Sequence, residues 1–400
     1  MHSPAAVPVR FGADRLIADP SLLGGARRVG LVTNDAARLA ADPEARTRSA
    51  LIRAGVPIVR LFSPEHGLSA SAADGTAVAD GTDSLTGLPV ISLYGERTRP
   101  DEEALRNLDA VLFDIPDIGA RFYTYTWTLF HVMAACAQGG VPVIVLDRPN
   151  PLGGDLARAE GPVLDLACRS FVGEEAIPVR HQLTLGELSR LWRRERFTDL
   201  ELRVITCDGW TRAMRWPDTG LPWVPTSPAI PSFDSAQLYP GLCLFEATNL
   251  SVGRGTDAPF QQVGAPWLDV PAVLADLSQR IPRGAEFGET VFIPGAAPYI
   301  AEPCHGVRVK VTDPRALRPV ALGLLMLAAI ISTHRLRFQW SKYPTAANPG
   351  GDGHFERLIG QRDIRRRFDA SSFDIDADVV RDWTSVGDWV ERVTPSLCYE

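Results

Sequence analysis

The sequence lacks paired cysteines, a secretory signal and a long hydrophobic run. Its six cysteines are scattered over 400 residues without a C-x-x-C pair, which is typical of reduced thiols rather than of a disulfide framework. The N-terminus has no basic segment followed by an apolar one, as secretory signals have. The longest apolar stretch, residues 320–331, is far shorter than the roughly 20 residues that span a bilayer. These absences predict a cytoplasmic protein that has no membrane partner.

Excess positive charge and the common cofactor motifs are also missing. The net charge is −7, so neither nucleic acid nor an anionic membrane is an expected partner. No G-x-G-x-x-G follows the first predicted strand and no G-x-x-x-x-G-K-[ST] occurs, which argues against a nucleotide cofactor. The histidines show no H-E-x-x-H spacing, and a G-x-S-x-G nucleophile elbow is absent. We therefore expect no metal and no cofactor; the sequence gives no indication of oligomeric state.

Short apolar strands that alternate with helical segments fill the first part of the chain. The predicted strands are residues 29–33, 57–62, 89–94, 110–115 and 142–146. Continuously apolar strands of this kind favour an α/β fold with a Rossmann-like, doubly wound parallel sheet. After residue 154 the pattern changes, and a long segment rich in Pro and Trp spans residues 210–241. We predict a Rossmann-like domain at residues 1–154 and a smaller α+β auxiliary domain at residues 155–400.

Charged and amide side chains follow several of these predicted strands. The set is Glu65 and His66, Asp114, Asp117 and Arg121, and Asp147, Arg148 and Asn150. Because the carboxyl ends of parallel strands lie at one edge of a sheet, we predict that these side chains converge on one cleft. The alternative is that Asp and Asn end strands because they suit turns and caps.

Aromatic and glycine-rich segments supply further candidate contacts. Tyr123 and Tyr125 offer aromatic faces next to charge, which suits a sugar ring; packing in the core is the alternative. Glu246, Asn249 and Arg254 belong to the densest polar run of the second half, and an arginine can bind a carboxylate bidentately. An exposed loop would share this composition. A small-molecule substrate is the partner that these residue types favour.

Several long motifs resemble those of the bacterial exo-β-N-acetylmuramidases, the NamZ or YbbC-like family formerly called DUF1343. They are S-P-E-H-G at residues 63–67, T-G-L-P-V at 86–90, S-L-Y-G at 92–95, F-D-I at 113–115, D-I-G-A-R-F-Y-T-Y at 117–125, L-D-R-P-N-P-L-G-G at 146–154, T-G-L-P-W-V at 219–224 and G-R-G-T at 253–256. The resemblance runs from about residue 29 to residue 340, with the motifs in the family's order.

The resemblance implies two domains with a cleft between them, and an activity. That activity is release of N-acetylmuramic acid (MurNAc) from the non-reducing end of peptidoglycan fragments such as MurNAc-GlcNAc, in cell-wall turnover and recycling. The family's proposed catalytic glutamate corresponds to Glu65. Two places depart from the family pattern: residues 68–71 lack an arginine, and Ala229 replaces an asparagine.

Our hypothesis is a glycoside hydrolase in which Glu65 is the general acid. Asp114, Asp117 and Glu246 are candidates for a second catalytic group, His66 stands beside the acid, and assistance by the substrate's 2-acetamido group is a further route. An arginine should bind the lactyl carboxylate that distinguishes MurNAc from GlcNAc, and Arg121 and Arg254 are the candidates. The predicted substrate contacts are Arg121, Tyr123, Tyr125, Asn150, Glu246, Asn249 and Arg254. The alternative function is a non-catalytic muropeptide- or sugar-binding protein.

Overall fold

A seven-stranded sheet forms the centre of the first half of the chain. The computed structural model describes residues 7–280, 283–370 and 375–400. The sheet consists of β1 (Val29–Thr33), β2 (Ile58–Ser63), β3 (Gly81–Thr82), β4 (Pro89–Ser92), β5 (Ala110–Asp114), β6 (Val143–Leu146) and β9 (Leu202–Ile205). Their order is β3-β4-β2-β1-β5-β6-β9, and all neighbours are parallel except β3, which pairs antiparallel with β4 at one edge.

The strand order is that of a Rossmann-like sheet. From β1 the chain moves outward to β2 and β4, then returns to the other side of β1 and moves outward through β5, β6 and β9. The direction of winding therefore reverses between β1 and β5, whose last residues, Thr33 and Asp114, are paired. A crevice at such a switch point, beyond the carboxyl ends of the strands, is the usual ligand position in open α/β sheets.

Helices cover both faces of this sheet, as the strand pattern predicts. Along β5, Val111 and Phe113 pack on one side with α3 (Glu102–Leu105), α4 (Tyr125–Gly139) and α5 (Leu185–Glu195). Leu112 packs on the other side with α1 (Gly12–Ala18) and α2 (Thr47–Arg53). Successive strand residues point to opposite faces, so a strand with a helix on each side must be apolar throughout. The predicted doubly wound fold is confirmed.

The second half builds a smaller α+β unit on one side of the first. Its antiparallel sheet has the order β10-β12-β11, from β10 (Gln262–Ala265), β11 (Ala285–Phe292) and β12 (Cys304–Val311). Its helices are α6 (Phe233–Leu242), α7 (Val270–Arg280), α8 (Pro319–His334), α9 (His354–Ile359), α10 (Arg362–Asp369), α11 (Ala377–Trp383) and α12 (Trp389–Val393). The apolar run at residues 320–331 is the buried α8. Within the three described ranges, no helix is long and apolar enough to cross a membrane.

The central sheet continues past the predicted domain boundary at residues 154 and 155. The ribbon of β7 (Glu160–Val163) and β8 (Pro178–Arg180) follows that point, and then α5 and β9 complete the sheet. β9 pairs with β6 from Val143 to Leu146. The central sheet therefore contains residues from both sides of position 154.

Candidate active site

A cavity lies where the carboxyl end of β2 meets the second half of the chain. Its volume is about 60 Å³, which is below the range of about 300–1,000 Å³ usual for small-molecule sites, so a sugar needs side chains of the wall to move apart. Its walls come from both halves of the molecule: Glu65, His66, Asp74, Gly75, Phe122, Tyr123, Thr124, Phe171, Val172, Ser227, Ala229, Ile230, Tyr239, Cys243, Glu246, Arg254, Tyr343, Thr345, His354 and Leu358.

Glu65 is held at the cavity wall by one backbone and one side-chain donor. β2 ends at Ser63, and Pro64, which has no N–H, prevents the sheet ladder from continuing. Glu65 Oε1 accepts a hydrogen bond from the Gly75 N–H at 2.8 Å, and Oε2 lies 2.6 Å from Thr124 Oγ1. The Gly75 bond requires Oε1 to accept, whereas a hydroxyl can donate or accept. The two contacts therefore hold both oxygens of Glu65 in one orientation at the cavity wall.

His66 fixes the loop that follows Glu65. Its backbone is left-handed, with φ at 66°, and its side chain is buried. The ring Nδ1 lies 2.8 Å from the Ala72 carbonyl oxygen, and the Ala72 N–H donates to the His66 carbonyl at 3.2 Å. The other ring nitrogen, Nε2, lies 3.5 Å from Asp74 Oδ1. His66 thus closes the turn that carries Asp74 to the cavity.

Arg254 lies between two carboxylates that come from different halves of the chain. Its Nη1 contacts Asp74 Oδ2, and its Nε donates to Glu246 Oε1. The guanidinium also lies over the ring of Phe260, 5.0 Å from the ring centre. Glu246 stands on a 3₁₀ helix, Cys243–Ala247, and its second oxygen lies 3.3 Å from Cys243 Sγ. The arrangement presents a positive group whose hydrogen-bonding directions match a carboxylate.

Burial shifts the proton affinities of this cluster. Burial raises the pKa of Glu246, against the lowering effect of Arg254, and Asp74 raises it further. Burial alone would lower the pKa of Arg254, but the carboxylate of Glu246, then Tyr343 and Asp74, more than offset this and leave the pKa raised. Arg254 is thus a permanent cation in the cavity.

The two predicted tyrosines differ in their relation to the cavity. Tyr123 lines it and donates its hydroxyl to Thr226 Oγ1 at 2.7 Å. Tyr125 is fully buried and donates to the Thr226 carbonyl at 2.9 Å, with its ring packed edge-on against Tyr123 at 4.9 Å. Together they hold the segment that brings Ser227 and Ala229 to the wall, and Ala229 occupies the position where the resembled family has an asparagine.

Asp114 and Asp117 lie at the sheet edge but outside this cavity. Asp114 is fully buried and pairs with Arg148, whose Nε donates to Oδ1 at 2.7 Å. Asp117 accepts the Gly119 N–H at 2.8 Å and lies 3.5 Å from His181 Nε2. Arg148 and Asp117 line a separate, mainly apolar space beside Trp216. The two carboxylates therefore act as structural partners of neighbouring loops in this conformation.

Three predicted substrate contacts are engaged with the backbone elsewhere. Arg121 is fully buried and donates to the carbonyls of Pro162, Ile177 and Leu358 at 2.6–3.1 Å; burial lowers its pKa to about 9.

The two asparagines have similar roles. Asn150 donates to the Leu183 carbonyl at 2.9 Å and accepts from the Leu152 N–H. Asn249 bonds the backbone of Arg337 and Gln339, each at 2.9 Å. Arg121, Asn150 and Asn249 therefore stabilise loops through backbone contacts. Of the predicted site residues, those that line the cavity are Glu65, His66, Tyr123, Glu246 and Arg254.

Other residues of the cavity were not singled out from the sequence. Asp74, Gly75 and Thr124 contact the central charged groups, and Tyr343 stacks on His354 with ring centres 4.5 Å apart. Burial lowers the pKa of His354 to about 4, so this ring is neutral at physiological pH. The Asp-Gly pair at residues 74 and 75 signals a turn, but no local pattern shows which side chain the turn faces.

The charged side chains of the cavity do not form the ligand set of a metal centre. Across residues 7–280, 283–370 and 375–400, no group of three or more His, Cys, Asp or Glu side chains is placed to hold a metal ion. The cluster of Asp74 and Glu246 is instead bridged by a guanidinium.

Two family models match consecutive parts of the chain from residue 29 to residue 399. The model described as "Exo-beta-N-acetylmuramidase NamZ, N-terminal" matches residues 29–234, and its C-terminal counterpart matches residues 237–399. A peptidoglycan beta-N-acetylmuramidase NamZ of Bacillus subtilis (strain 168) is 37% identical over 361 residues, which cover 90% of this chain and 84% of that protein.

Two solved structures of DUF1343 family proteins from Bacteroides fragilis NCTC 9343 have a similar fold. One has a TM-score of 0.85 and 30% identity, covering 99% of this chain and 100% of that chain. The other has a TM-score of 0.74 and 27% identity, covering 98% and 99%. Both the sequence motifs and the three-dimensional arrangement are thus shared with this group of proteins. The chain belongs to the exo-β-N-acetylmuramidase NamZ family.

Proposed function

We propose that this protein is an exo-β-N-acetylmuramidase that releases MurNAc from the non-reducing end of peptidoglycan fragments during cell-wall turnover and recycling. The observation that carries the proposal is the cavity itself, in which the Glu65 carboxyl group faces the same space as Arg254. A muramyl glycoside needs both an acid for its leaving oxygen and a cation for its lactyl carboxylate. The family relationship supports the same activity.

Glu65 is the general acid in this proposal. Its Oε2 proton passes to the glycosidic oxygen as the bond from C1 to that oxygen breaks, and positive charge develops at C1. Thr124 Oγ1, at 2.6 Å, keeps Oε2 in one orientation, and the Gly75 N–H holds Oε1. After GlcNAc leaves, the Glu65 carboxylate can take a proton from the incoming water.

Glu246 has a supporting role in the proposal. Of the three carboxylates considered as second catalytic group, Glu246 lines the cavity, but both of its oxygens are engaged, by Arg254 and by Cys243. We assign Glu246 to holding Arg254. The 2-acetamido oxygen of the substrate then attacks C1 as the leaving group departs, a route that retains the anomeric configuration.

Arg254 is the residue that we assign to the lactyl carboxylate. It faces the cavity, whereas the other candidate, Arg121, is occupied by three carbonyl oxygens in the interior. A charge-assisted contact in a partly buried site gives more affinity than the same contact in water.

Replacement of the acid tests the proposal. Glu65→Gln keeps an oxygen for the Gly75 N–H but cannot supply the proton, so we expect kcat/KM on a chromogenic MurNAc glycoside to fall at least about 100-fold. Glu96→Gln, an exposed residue after β4, is the matched control and should retain wild-type activity. Activity of Glu65→Gln within tenfold of wild type would contradict the general-acid role.

A further inference from the structure

The loop after Glu65 places a carboxylate of the protein on the arginine that we assign to the substrate's carboxylate. We propose that Asp74 is a built-in competitor, which occupies the anion position on Arg254 in the free enzyme and is exchanged for the substrate's carboxylate on binding. This inference deepens the proposed function and rests on its assignment of Arg254. It makes Asp74 a determinant of affinity for acidic sugars.

Of the two carboxylates on Arg254, Asp74 is the one suited to leave. The Asp74 side chain is 27% exposed, against 7% for Glu246. Asp74 stands in a turn between His66 and β3, whereas Glu246 is fixed within a 3₁₀ helix and contacts Cys243. Displacing Asp74 returns a side chain that is already 27% exposed to water and breaks its 3.5 Å contact with His66 Nε2, whereas displacing Glu246 would leave a buried charge without its partner.

The charge balance of the cavity favours exchange over simple addition. Arg254 is one cation between two carboxylates, and Glu65 faces the same space. An acidic sugar that entered without displacing Asp74 would bring a third carboxylate to a single guanidinium. Three carboxylates around one guanidinium repel each other strongly in a partly buried site. Exchange keeps the number of charges around Arg254 constant.

The backbone next to Asp74 is hydrogen-bonded to the catalytic acid. Asp74 is followed directly by Gly75, whose N–H donates to Glu65 Oε1 at 2.8 Å and whose carbonyl accepts from the Ala346 N–H at 2.8 Å. Gly75 also packs so closely on Thr345 that a Cβ would lie 2.9 Å from its side chain. The Asp74 side chain and the loop before it can therefore leave Arg254 while Gly75 keeps its bond to Glu65. A neutral hexosamine has no carboxylate to drive this movement.

Equilibrium binding to an Asp74→Asn variant tests the exchange. With the competing charge gone, the affinities for free MurNAc and for D-lactate should rise at least about fivefold, whereas that for GlcNAc should change less than twofold. Glu96→Gln removes the same charge from an exposed position and should match wild type. If Asp74 instead orients Arg254, the variant will bind MurNAc and D-lactate with equal or lower affinity, and the inference is wrong.

Hydrogen exchange of the wild-type protein provides a test that does not depend on a variant folding. Saturating MurNAc should speed amide exchange in residues 68–74, because the loop loses the contact of Asp74 with Arg254, whereas the Gly75 amide should stay protected by Glu65. GlcNAc should not do so. Unchanged or slower exchange with MurNAc would overturn the inference. D-lactate binding does not depend on hydrolysis, so a failure of the proposed activity would instead appear as an intact disaccharide.

Discussion

Buried charged side chains serve two different purposes in this molecule, and Arg254 and Arg121 illustrate them. Arg254 meets carboxylates at the wall of a cavity, where a ligand can compete for it. Arg121 is fully buried and donates to carbonyl oxygens of three separate segments. An arginine satisfied by backbone carbonyls joins segments of the fold, whereas one shared by carboxylates can bind an anion.

Alanine variants of Arg254 and Arg121 should distinguish a role in binding substrate from a role in stabilising the fold. Arg254→Ala should lower kcat/KM for a MurNAc glycoside at least about tenfold more than for the GlcNAc glycoside, because a charged contact is lost with only one of them. Arg121→Ala should lower the free energy of unfolding by about 3–5 kcal/mol, since it removes the donor that three buried carbonyls share and leaves a void.

Chromogenic glycosides and urea denaturation provide the two readouts, and Arg366→Ala, on an exposed helix face, is the control. A selectivity change in folded Arg121→Ala, with none in Arg254→Ala, would reverse the assignment.

Among the elements, the strand ends carry the charged groups as predicted, but the groups do not share one cleft. Glu65 follows β2 and reaches the cavity, whereas Asp114 at the end of β5 is paired with Arg148 from the loop after β6. Asp147, at the end of β6, accepts from Thr184 and from the Gly186 N–H. The strands and helices of the central sheet follow from local patterns, and the predicted doubly wound fold is confirmed. Which strand-end charge is neutralised by a neighbouring loop depends on contacts between distant residues, which a local pattern does not encode.

The pair of Asp114 and Arg148 provides a prediction at this scale. Arg148 also donates to the Arg38 carbonyl and to Thr47, so it connects the loops after β1 and β6 with β5. Asp114→Asn should lower the free energy of unfolding by about 3–5 kcal/mol, because an uncompensated buried charge remains. At a temperature where the variant is folded, its kcat/KM should stay within about tenfold of wild type, since Asp114 is not a catalytic group in this account. Wild-type stability with activity lost would show that Asp114 takes part in the reaction.

At the scale of the whole molecule, the cavity exists only because the two halves of the chain meet. The acid comes from the first half, and Glu246, Arg254 and Tyr343 come from the second. The sequence predicts Glu65, Glu246 and Arg254 as site residues but not Tyr343. Their meeting point is set by contacts between distant residues, such as that of Asp74 with Arg254, which are 180 residues apart. The two family models meet between residues 234 and 237, and β9 at Leu202–Ile205 belongs to the central sheet.

The last residues of the chain contact the first half at Asp147. This buried carboxyl group should produce a measurable dependence of stability on pH. Tyr399 donates to Asp147 Oδ2 at 2.6 Å, and burial raises the pKa of Asp147 to about 6. A raised carboxyl pKa means that the folded state binds more protons than the unfolded state between about pH 4 and pH 6. The contribution of Asp147 to stability should therefore increase as the pH falls through this window.

Comparison with Asp147→Asn isolates that contribution from those of other carboxylates. Relative to the variant, wild type should gain on the order of 1 kcal/mol in unfolding free energy between pH 7 and pH 5. Urea denaturation at both pH values measures it. A difference that is constant or that shrinks toward pH 5 would contradict the raised pKa.

The central claim is that this cavity hydrolyses a muramyl glycoside, and product analysis with MurNAc-GlcNAc tests it most directly. The account predicts that wild-type protein converts the disaccharide into equal amounts of free MurNAc and free GlcNAc, and that Glu65→Gln does not. If the disaccharide binds but is recovered intact from wild-type protein, the protein binds sugars without cleaving them, and the account is contradicted.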